Sequence, residues 1–199
     1  FEDEYISEDE VITLFSQRIL EEDKGKVVHD LRCSKLVNEK VKEFGGEPLE
    51  SRVGHTFISK DIHDDPEIVF AGELSGHYYF PSLGFPWDDG LLAACLMCDI
   101  VDKGEIDRLK TYTNYPVSPE LRIDCPEDRK SKVIEGIKEK FSDHDLITKD
   151  GVKIEFEEGW ALVRPSNTEE KMSVRCEAST EEDLERILED VESTVRSLC

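Results

Sequence analysis

The first half of the chain alternates short apolar runs with stretches in which apolar residues recur at helical spacing. The helical spacing predicts three helices, in residues 11–20, 34–44 and 89–101. The short runs predict strands, at 26–31, 47–52, 67–71 and 78–80. Ser7 and Glu10 fit a capping box, Asp88 is expected to cap the third helix, and residues 53–56 are expected to form a loop. Strands alternating with helices predict an α/β mixed-sheet layer domain.

The pattern changes near Gly104, and residues 110–119 have the composition of a linker. Further strands are predicted, at 120–125, 146–148, 152–156, 160–164 and 172–177. One helix is predicted over 127–141 and a final amphipathic helix after Thr180. We therefore predict two domains, residues 1–107 and 108–199, the second a small α+β domain with an antiparallel sheet packed by helices.

Charge narrows the range of partners. The 199 residues carry 47 acidic against 25 basic side chains, a net charge of −22. Nucleic acid and anionic membranes are poor partners for such a surface, because phosphate groups need a basic face. The longest apolar run, residues 91–98, is far too short to span a membrane, and we expect a cytoplasmic protein. Because the chain begins at Phe1 within an acidic stretch, we expect a piece of a longer protein.

Cys95 and Cys98 form a C-x-x-C within a predicted apolar helix. A single pair with no second pair and no nearby histidine is a weak metal signal, so no metal site is predicted in this chain. We expect the two thiols to be reduced and buried in the core.

The stretch GELSGHYYF, residues 72–80, carries three hydrogen-bonding side chains at the end of a predicted buried strand. On an extended backbone Glu73 and Ser75 would share one side, where a carboxylate beside a hydroxyl suits vicinal sugar hydroxyls. His55 and His77 each follow a glycine and could transfer protons. The alternative is that one or both histidines are structural.

A second polar turn, RPSNTEEK at residues 164–171, lies between two predicted strands. Arg164 offers a planar fork of donors, and Ser166, Asn167 and Thr168 add hydroxyl and amide donors. In a chain this acidic, such a cluster suits an anion, and the turn's N–H groups could assist. An ordinary polar hairpin is the alternative.

The stretches VGHTFI, GELSGHYYF, DDGLLAA and RPSNTEEK…RCEA, in this order and at this spacing, resemble the α-D-phosphohexomutases, most of all the phosphomannomutase/phosphoglucomutase branch. The resemblance covers nearly the whole chain. It implies that the chain corresponds to the third and fourth of four domains. The third would carry a sugar-reading loop, and the fourth a loop that holds the substrate's non-reacting phosphate.

The resemblance implies a role for each candidate residue. Glu73 and Ser75 would bind sugar hydroxyls, and Arg32 would be a further substrate-facing residue. His55 and His77 would lie near the reacting hydroxyl as possible proton acceptors. The phosphate would be held by the second polar turn, through Arg164, Ser166, Asn167 and Thr168.

The resemblance also implies parts that this sequence lacks. The family's phosphoserine loop and its Mg²⁺-binding D-G-D-x-D loop are absent from the 199 residues. The ligands of Mg²⁺ and the phosphoryl donor are therefore expected on N-terminal domains, in cis or in trans, with hexose 1,6-bisphosphate as the intermediate. The expected substrates are mannose or glucose 1- and 6-phosphates. A non-catalytic sugar-phosphate binding module, or half of a phosphoglucosamine mutase, stays open.

Overall fold

The computed structural model describes residues 5–199, so the start of the chain at Phe1 lies outside the described residues. The chain divides into two compact units between Asn114 and Tyr115, a few residues beyond the predicted boundary at 107. The division falls later because the 3₁₀ helix Glu105–Thr111 and Tyr112 belong to the first unit, where they pack against its core.

The first unit is built on a five-stranded mixed sheet of order β2-β1-β3-β4-β5. The first three strands in this order are parallel and the last two are added antiparallel. The strands are β1 Lys26–Asp30, β2 Glu47–Ser51, β3 Ile68–Glu73, β4 His77–Phe80 and β5 Phe85–Asp88. The helices are α1 Glu8–Leu20, α2 Lys35–Glu43, α3 His55–Asp64 and α4 Gly90–Asp102.

Apolar residues leave both faces of this sheet, and each face has its own core. On one face Phe15 of α1 packs edge-on against Phe70 and Phe80. On the other, Ile58 and Ile62 of α3 pack with Tyr79. The predicted α/β layer architecture is therefore confirmed, with the sheet between helices.

Three local predictions for this unit are wrong. Residues 53–56 are not all loop, because α3 begins at His55, and the four-residue spacing of its buried Ile58 and Ile62 is the signal that was missed. Asp89, not Asp88, caps α4 by accepting the Leu92 N–H at 2.8 Å. Asp88 instead ends the short strand β5, which was not predicted.

The C-x-x-C pair is also not where the sequence predicted it. Cys95 and Cys98 are exposed free thiols on α4. The apolar positions of α4 extend round much of the helix, and only Ala93 and Ile100 are fully buried against the first unit. Leu91 and Val101, which share the outer side with the cysteines, are 77% and 53% exposed.

The second unit has a five-stranded antiparallel sheet of order β6-β10-β9-β8-β7. Its strands are β6 Leu121–Asp124, β7 Asp145–Ile147, β8 Val152–Glu155, β9 Gly159–Pro165 and β10 Lys171–Ala178. The helices α5 Glu127–Lys140 and α6 Glu181–Leu198 bury apolar residues against one sheet face, among them Val133, Ile137, Leu184 and Val191. The predicted antiparallel sheet packed by helices is confirmed. Nowhere in residues 5–199 is a helix both long and apolar enough to cross a membrane.

Candidate functional site

In the first unit, the turn after β3 forms a tight hairpin. Its backbone reverses at Leu74-Ser75-Gly76, closed by a 2.9 Å hydrogen bond from the Gly76 N–H to the Glu73 carbonyl. Gly76 has φ +82°, which glycine adopts without strain. The backbone is therefore not extended through the turn, and Glu73 and Ser75 are not side by side on one strand face. Ser75 is exposed at the tip of the turn, whereas Glu73 is buried.

Glu73 is a buried carboxylate with incomplete hydrogen bonding. Its side chain is 4% exposed, and Oε1 lies 3.7 Å from Nη2 of Arg32. Oε2 is buried and has no hydrogen-bond partner among the described residues. A buried carboxylate oxygen without a partner is unfavourable, so Glu73 retains an unused hydrogen-bond acceptor.

Arg32 is fixed beside Glu73 by Asp30, at the end of β1. The Asp30 carboxylate accepts from Nε and Nη2 of Arg32 at 3.1 and 2.9 Å, and from the Leu74 N–H at 2.9 Å. Burial raises the pKa of Asp30, but the hydrogen bonds and charge of Arg32 and the Leu74 N–H outweigh it and hold the pKa below its ordinary value. Asp30 therefore joins Arg32 to the hairpin turn. Sequence reasoning missed it, although it lies two residues before Arg32.

The two candidate histidines lie close together in the first unit. The ring centroids of His55, at the start of α3, and His77, at the start of β4, are 6.1 Å apart. His77 Nδ1 lies 2.5 Å from Oδ2 of Asp88. Because a carboxylate only accepts, Nδ1 carries the proton and Nε2 is left as the acceptor when the ring is neutral. Asp88, predicted only as a helix cap, thus orients an imidazole.

The second polar turn connects β9 to β10 in the second unit. The Ser166 hydroxyl accepts from the N–H groups of Thr168 and Glu169 at 3.4 and 3.1 Å, which curls the turn around it. The side chains of Asn167 and Thr168 are exposed, and they make no hydrogen bond within the described part of the chain. The turn thus presents free amide and hydroxyl groups.

Arg164 enters this turn already paired on one side. Its Nε donates to Oδ2 of Asp150 at 2.8 Å, and the two side chains are 14% and 13% exposed. Asp150 holds the guanidinium in place while both Nη groups stay available for a second acceptor. The turn at Lys149-Asp150-Gly151, between the antiparallel strands β7 and β8, supplies this carboxylate.

Lys130 of α5 fixes the same turn from the helix side. Its side chain is 6% exposed, and Nζ donates to the carbonyl oxygens of Ser166 and Glu169 at 2.7 and 2.8 Å and to Glu127. Two carbonyls are thereby drawn toward the helix. The residue is 36 positions from Ser166, so no local pattern in the sequence could have identified it.

Comparison with known proteins agrees with this architecture. The family model described as "Phosphoglucomutase/phosphomannomutase, alpha/beta/alpha domain III" matches residues 7–115, and the model of the C-terminal domain of the same family matches residues 120–194. The chain therefore belongs to the phosphoglucomutase/phosphomannomutase family, and its two units correspond to the third and C-terminal domains. The predicted family resemblance is confirmed.

Three similar proteins illustrate the relationship. The phosphomannomutase/phosphoglucomutase of Pseudomonas aeruginosa is 31% identical over 185 residues, 90% of this chain and 40% of the relative. The phosphomannomutase of Methanocaldococcus jannaschii is 35% identical over 195 residues, 96% of this chain and 42% of the relative. A crystal structure of a family protein from Burkholderia thailandensis is 27% identical with a TM-score of 0.86, covering 98% of this chain and 42% of that one. The chain thus spans about two fifths of the relatives' length.

Proposed function

We propose that the chain supplies sugar-hydroxyl and phosphate recognition to a phosphohexomutase that interconverts hexose 1-phosphates and hexose 6-phosphates. The observation that carries this proposal is Glu73, whose buried Oε2 has no partner among the described residues. A sugar hydroxyl would complete its hydrogen bonding, and the exposed hydroxyl of Ser75 could contact a neighbouring sugar oxygen. Arg32, whose Nη2 lies 3.7 Å from Oε1 of Glu73, would contact the substrate from the same side.

The phosphate that does not react would bind at the second polar turn. Arg164 would use its two free Nη groups, since its Nε belongs to Asp150. Ser166, Asn167 and Thr168 would add hydroxyl and amide donors to the remaining phosphate oxygens. The first unit thus offers an acceptor for hydroxyls and the second offers donors for phosphate, and these are the two kinds of group that a hexose phosphate carries.

Proton transfer would fall to the histidines. When a hexose hydroxyl attacks the phosphoryl group of the phosphoserine, its oxygen gains a bond to phosphorus and loses its proton to a base, while the bond from phosphorus to the serine oxygen breaks and the serine leaves. His77 has Nε2 free to accept that proton, because Asp88 accepts from Nδ1. His55, with its ring 6.1 Å away, is the second candidate base.

Mg²⁺ would neutralise charge on the transferred phosphoryl group. Within residues 5–199 no three His, Cys, Asp or Glu side chains lie together in a way that could hold a metal ion. We therefore propose that its ligands and the phosphoserine lie on N-terminal domains, in cis or in trans. The complete enzyme would act in the cytoplasm, with hexose 1,6-bisphosphate as activator and intermediate.

Two solved neighbours that share this fold were crystallised with sugar phosphates. Aspergillus fumigatus N-acetylphosphoglucosamine mutase has been crystallised with glucose 1,6-bisphosphate and with GlcNAc-6P and magnesium, at TM-scores of 0.67 and 0.65 to this chain. Their identities of 16% and 14% establish the shared fold alone. A phosphoglucosamine mutase and a non-catalytic sugar-phosphate module are the alternative functions. Mutase activity of the chain joined to N-terminal domains would exclude the non-catalytic module.

The test is a titration of the 199-residue chain with glucose 6-phosphate, followed by NMR. Glu73→Gln should weaken binding by about 1–3 kcal/mol, the range for a hydrogen bond to a charged group, with little change in melting temperature. Arg164→Lys should also weaken it, because lysine keeps the charge and loses the fork. Glu47→Gln and Arg186→Lys, exposed residues of the first and second units, are the matched controls. A large fall in melting temperature for Glu73→Gln with unchanged affinity would refute the sugar-binding role.

A further inference from the structure

Two arginines and a serine lie in one row across three strands of the second unit. Arg122 of β6 pairs with Ser173 of β10, and Ser173 pairs with Arg164 of β9. Directly paired residues point to the same face of a sheet, and neighbouring strands are about 4.8 Å apart. Arg122 and Arg164 therefore flank a small hydroxyl residue on one face, with a separation that suits a single phosphate between them.

This row lies on the sheet face opposite the core. The neighbours of the row along each strand, Ile123, Val163 and Met172, are all buried in the core beneath α5 and α6. The row thus faces away from the helices. It lies near the end of β9 and the start of β10, beside the second polar turn.

A cavity of about 230 Å³ opens at this place. Both arginines and Ser173 line it, and so do the donors of the second polar turn, Ser166, Asn167 and Thr168. The remaining lining residues are Glu120, Pro165, Lys171 and Met172. Three cationic side chains line it, those of Arg122, Arg164 and Lys171, together with the carboxylate of Glu120. Two further carboxylates, Asp150 and Glu169, are paired with the arginines. In a chain of net charge −22, such a cluster of cationic groups beside the hydroxyl and amide donors of the turn suits an anion that can displace one of these carboxylates.

The two arginines differ in how they are held. Arg164 is paired with Asp150 where both are mostly buried. Arg122 instead donates through Nη1 to Oε2 of Glu169 at 2.7 Å, and these side chains are 57% and 41% exposed. Exposed ion pairs contribute little to stability, so Arg122 can exchange this carboxylate for a more highly charged anion.

We propose that Arg122 is a second phosphate-binding arginine, and that Glu169 is an internal anion that occupies it until phosphate arrives. The inference deepens the proposed function, on which it rests. A phosphate dianion offers more charge and more acceptors than one carboxylate, so Arg122 turns from Glu169 into the cavity when phosphate binds. Glu169 then weakens phosphate affinity in two ways, since it competes for the guanidinium and repels the incoming charge.

The test is an NMR titration of the 199-residue chain with inorganic phosphate and, separately, glucose 6-phosphate at low ionic strength. Arg122→Gln should lower both affinities about fivefold, the size expected for one partly exposed charged hydrogen bond. Glu169→Gln should raise both about threefold through release of Arg122. The double variant should match Arg122→Gln alone, because Glu169 acts mainly through Arg122.

Glu170→Gln is the matched control. Glu170 is the adjacent exposed carboxylate, and its substitution removes the same charge from the same turn. Unchanged affinity in Arg122→Gln would overturn the proposal. So would an equal gain in Glu169→Gln and Glu170→Gln, which would reduce the effect to general charge. Arg164→Ala tests the proposed phosphate site independently of the role of Arg122. If Arg164→Ala leaves phosphate affinity unchanged, the proposed phosphate site is wrong. The role of Arg122 is decided by the Arg122 and Glu169 variants alone.

Discussion

Lys130 Nζ lies 2.7 Å from the carbonyl oxygen of Ser166, and the same ammonium lies 2.8 Å from that of Glu169. One buried cation on α5 thus joins both ends of the second polar turn. It also turns these carbonyl dipoles away from the opposite side of the turn. A phosphate there would meet N–H and hydroxyl groups rather than carbonyl oxygens.

Replacing this lysine should therefore affect both stability and phosphate binding. In Lys130→Met the stem is kept and two carbonyls lose their donor, so we expect a loss of about 2 kcal/mol in the free energy of unfolding. Phosphate affinity should fall as well, because the turn loses its fixed shape. Lys132→Met, an exposed position on the same helix, should change neither quantity. Denaturant unfolding and a phosphate titration measure the two effects. Unchanged values for Lys130→Met would contradict the claim that Lys130 fixes the second polar turn.

The buried pair of Asp30 and Arg32 should be needed for stability of the first unit. Asp30→Asn leaves Arg32 charged and partly buried without its carboxylate, so we expect a loss of about 3 kcal/mol in the free energy of unfolding. The exposed Asp23→Asn is the control.

The same pair gives a pH dependence of defined sign. The pKa of Asp30 is lower in the folded protein than in the unfolded chain, so its contribution is full above the unfolded value of about 4. It is lost as the pH falls through the lower, folded-state pKa. The stability difference between wild type and Asp30→Asn should therefore be constant near neutral pH and shrink in acid. A difference that grows on acidification would refute this role.

The cysteines should separate into two reactivity classes. Cys95 and Cys98 are exposed, whereas Cys33, Cys125 and Cys176 are buried. Burial raises the pKa of Cys176 to about 12, so almost no thiolate forms near neutral pH. Brief alkylation of the native chain, read by peptide mass spectrometry, should label Cys95 and Cys98 and spare the buried three until denaturant is added. Protection of Cys95 and Cys98 in the native chain would contradict their exposed position.

His77 should exist mainly as one tautomer. Because Asp88 accepts from Nδ1, the neutral ring should carry its proton there, which leaves Nε2 unprotonated. ¹⁵N spectra of the ring above its titration range distinguish the two forms. Asp88→Asn should mix the tautomers, while Asp89→Asn, the adjacent helix cap, should not. A dominant Nε2–H form in the wild type would exclude Nε2 as the proton acceptor.

Features fixed by neighbouring residues were predictable from the sequence. The capping box of Ser7 and Glu10 and the Thr180 cap of α6 depend on contacts three residues apart, and both are present. The turns at Glu73 and at Arg164 were likewise recognisable from their own residue types. Local composition was sufficient for these because local hydrogen bonds form them.

Features that depend on distant contacts were not predictable. Lys130 contacts the second polar turn because α5 packs on the sheet. Arg122 lies near the same turn because β6 pairs with β10. The burial of Glu73 depends on Arg32 and the neighbouring strand β1. The exposure of Cys95 was mispredicted because an apolar helix pattern indicates what a helix could bury and does not identify what covers it.

Mutase activity is the most direct test of the central claim, which is that this chain binds the sugar hydroxyls and the phosphate of the substrate in a phosphohexomutase. The assay follows formation of glucose 6-phosphate from glucose 1-phosphate with Mg²⁺ present. It compares the chain alone with a chimera in which the chain replaces the matched 42% of the Methanocaldococcus jannaschii phosphomannomutase. We expect no turnover by the chain alone, activity in the chimera, and a large loss of that activity with Arg164→Ala. Turnover by the pure chain alone, or a folded chimera without activity, would contradict the claim.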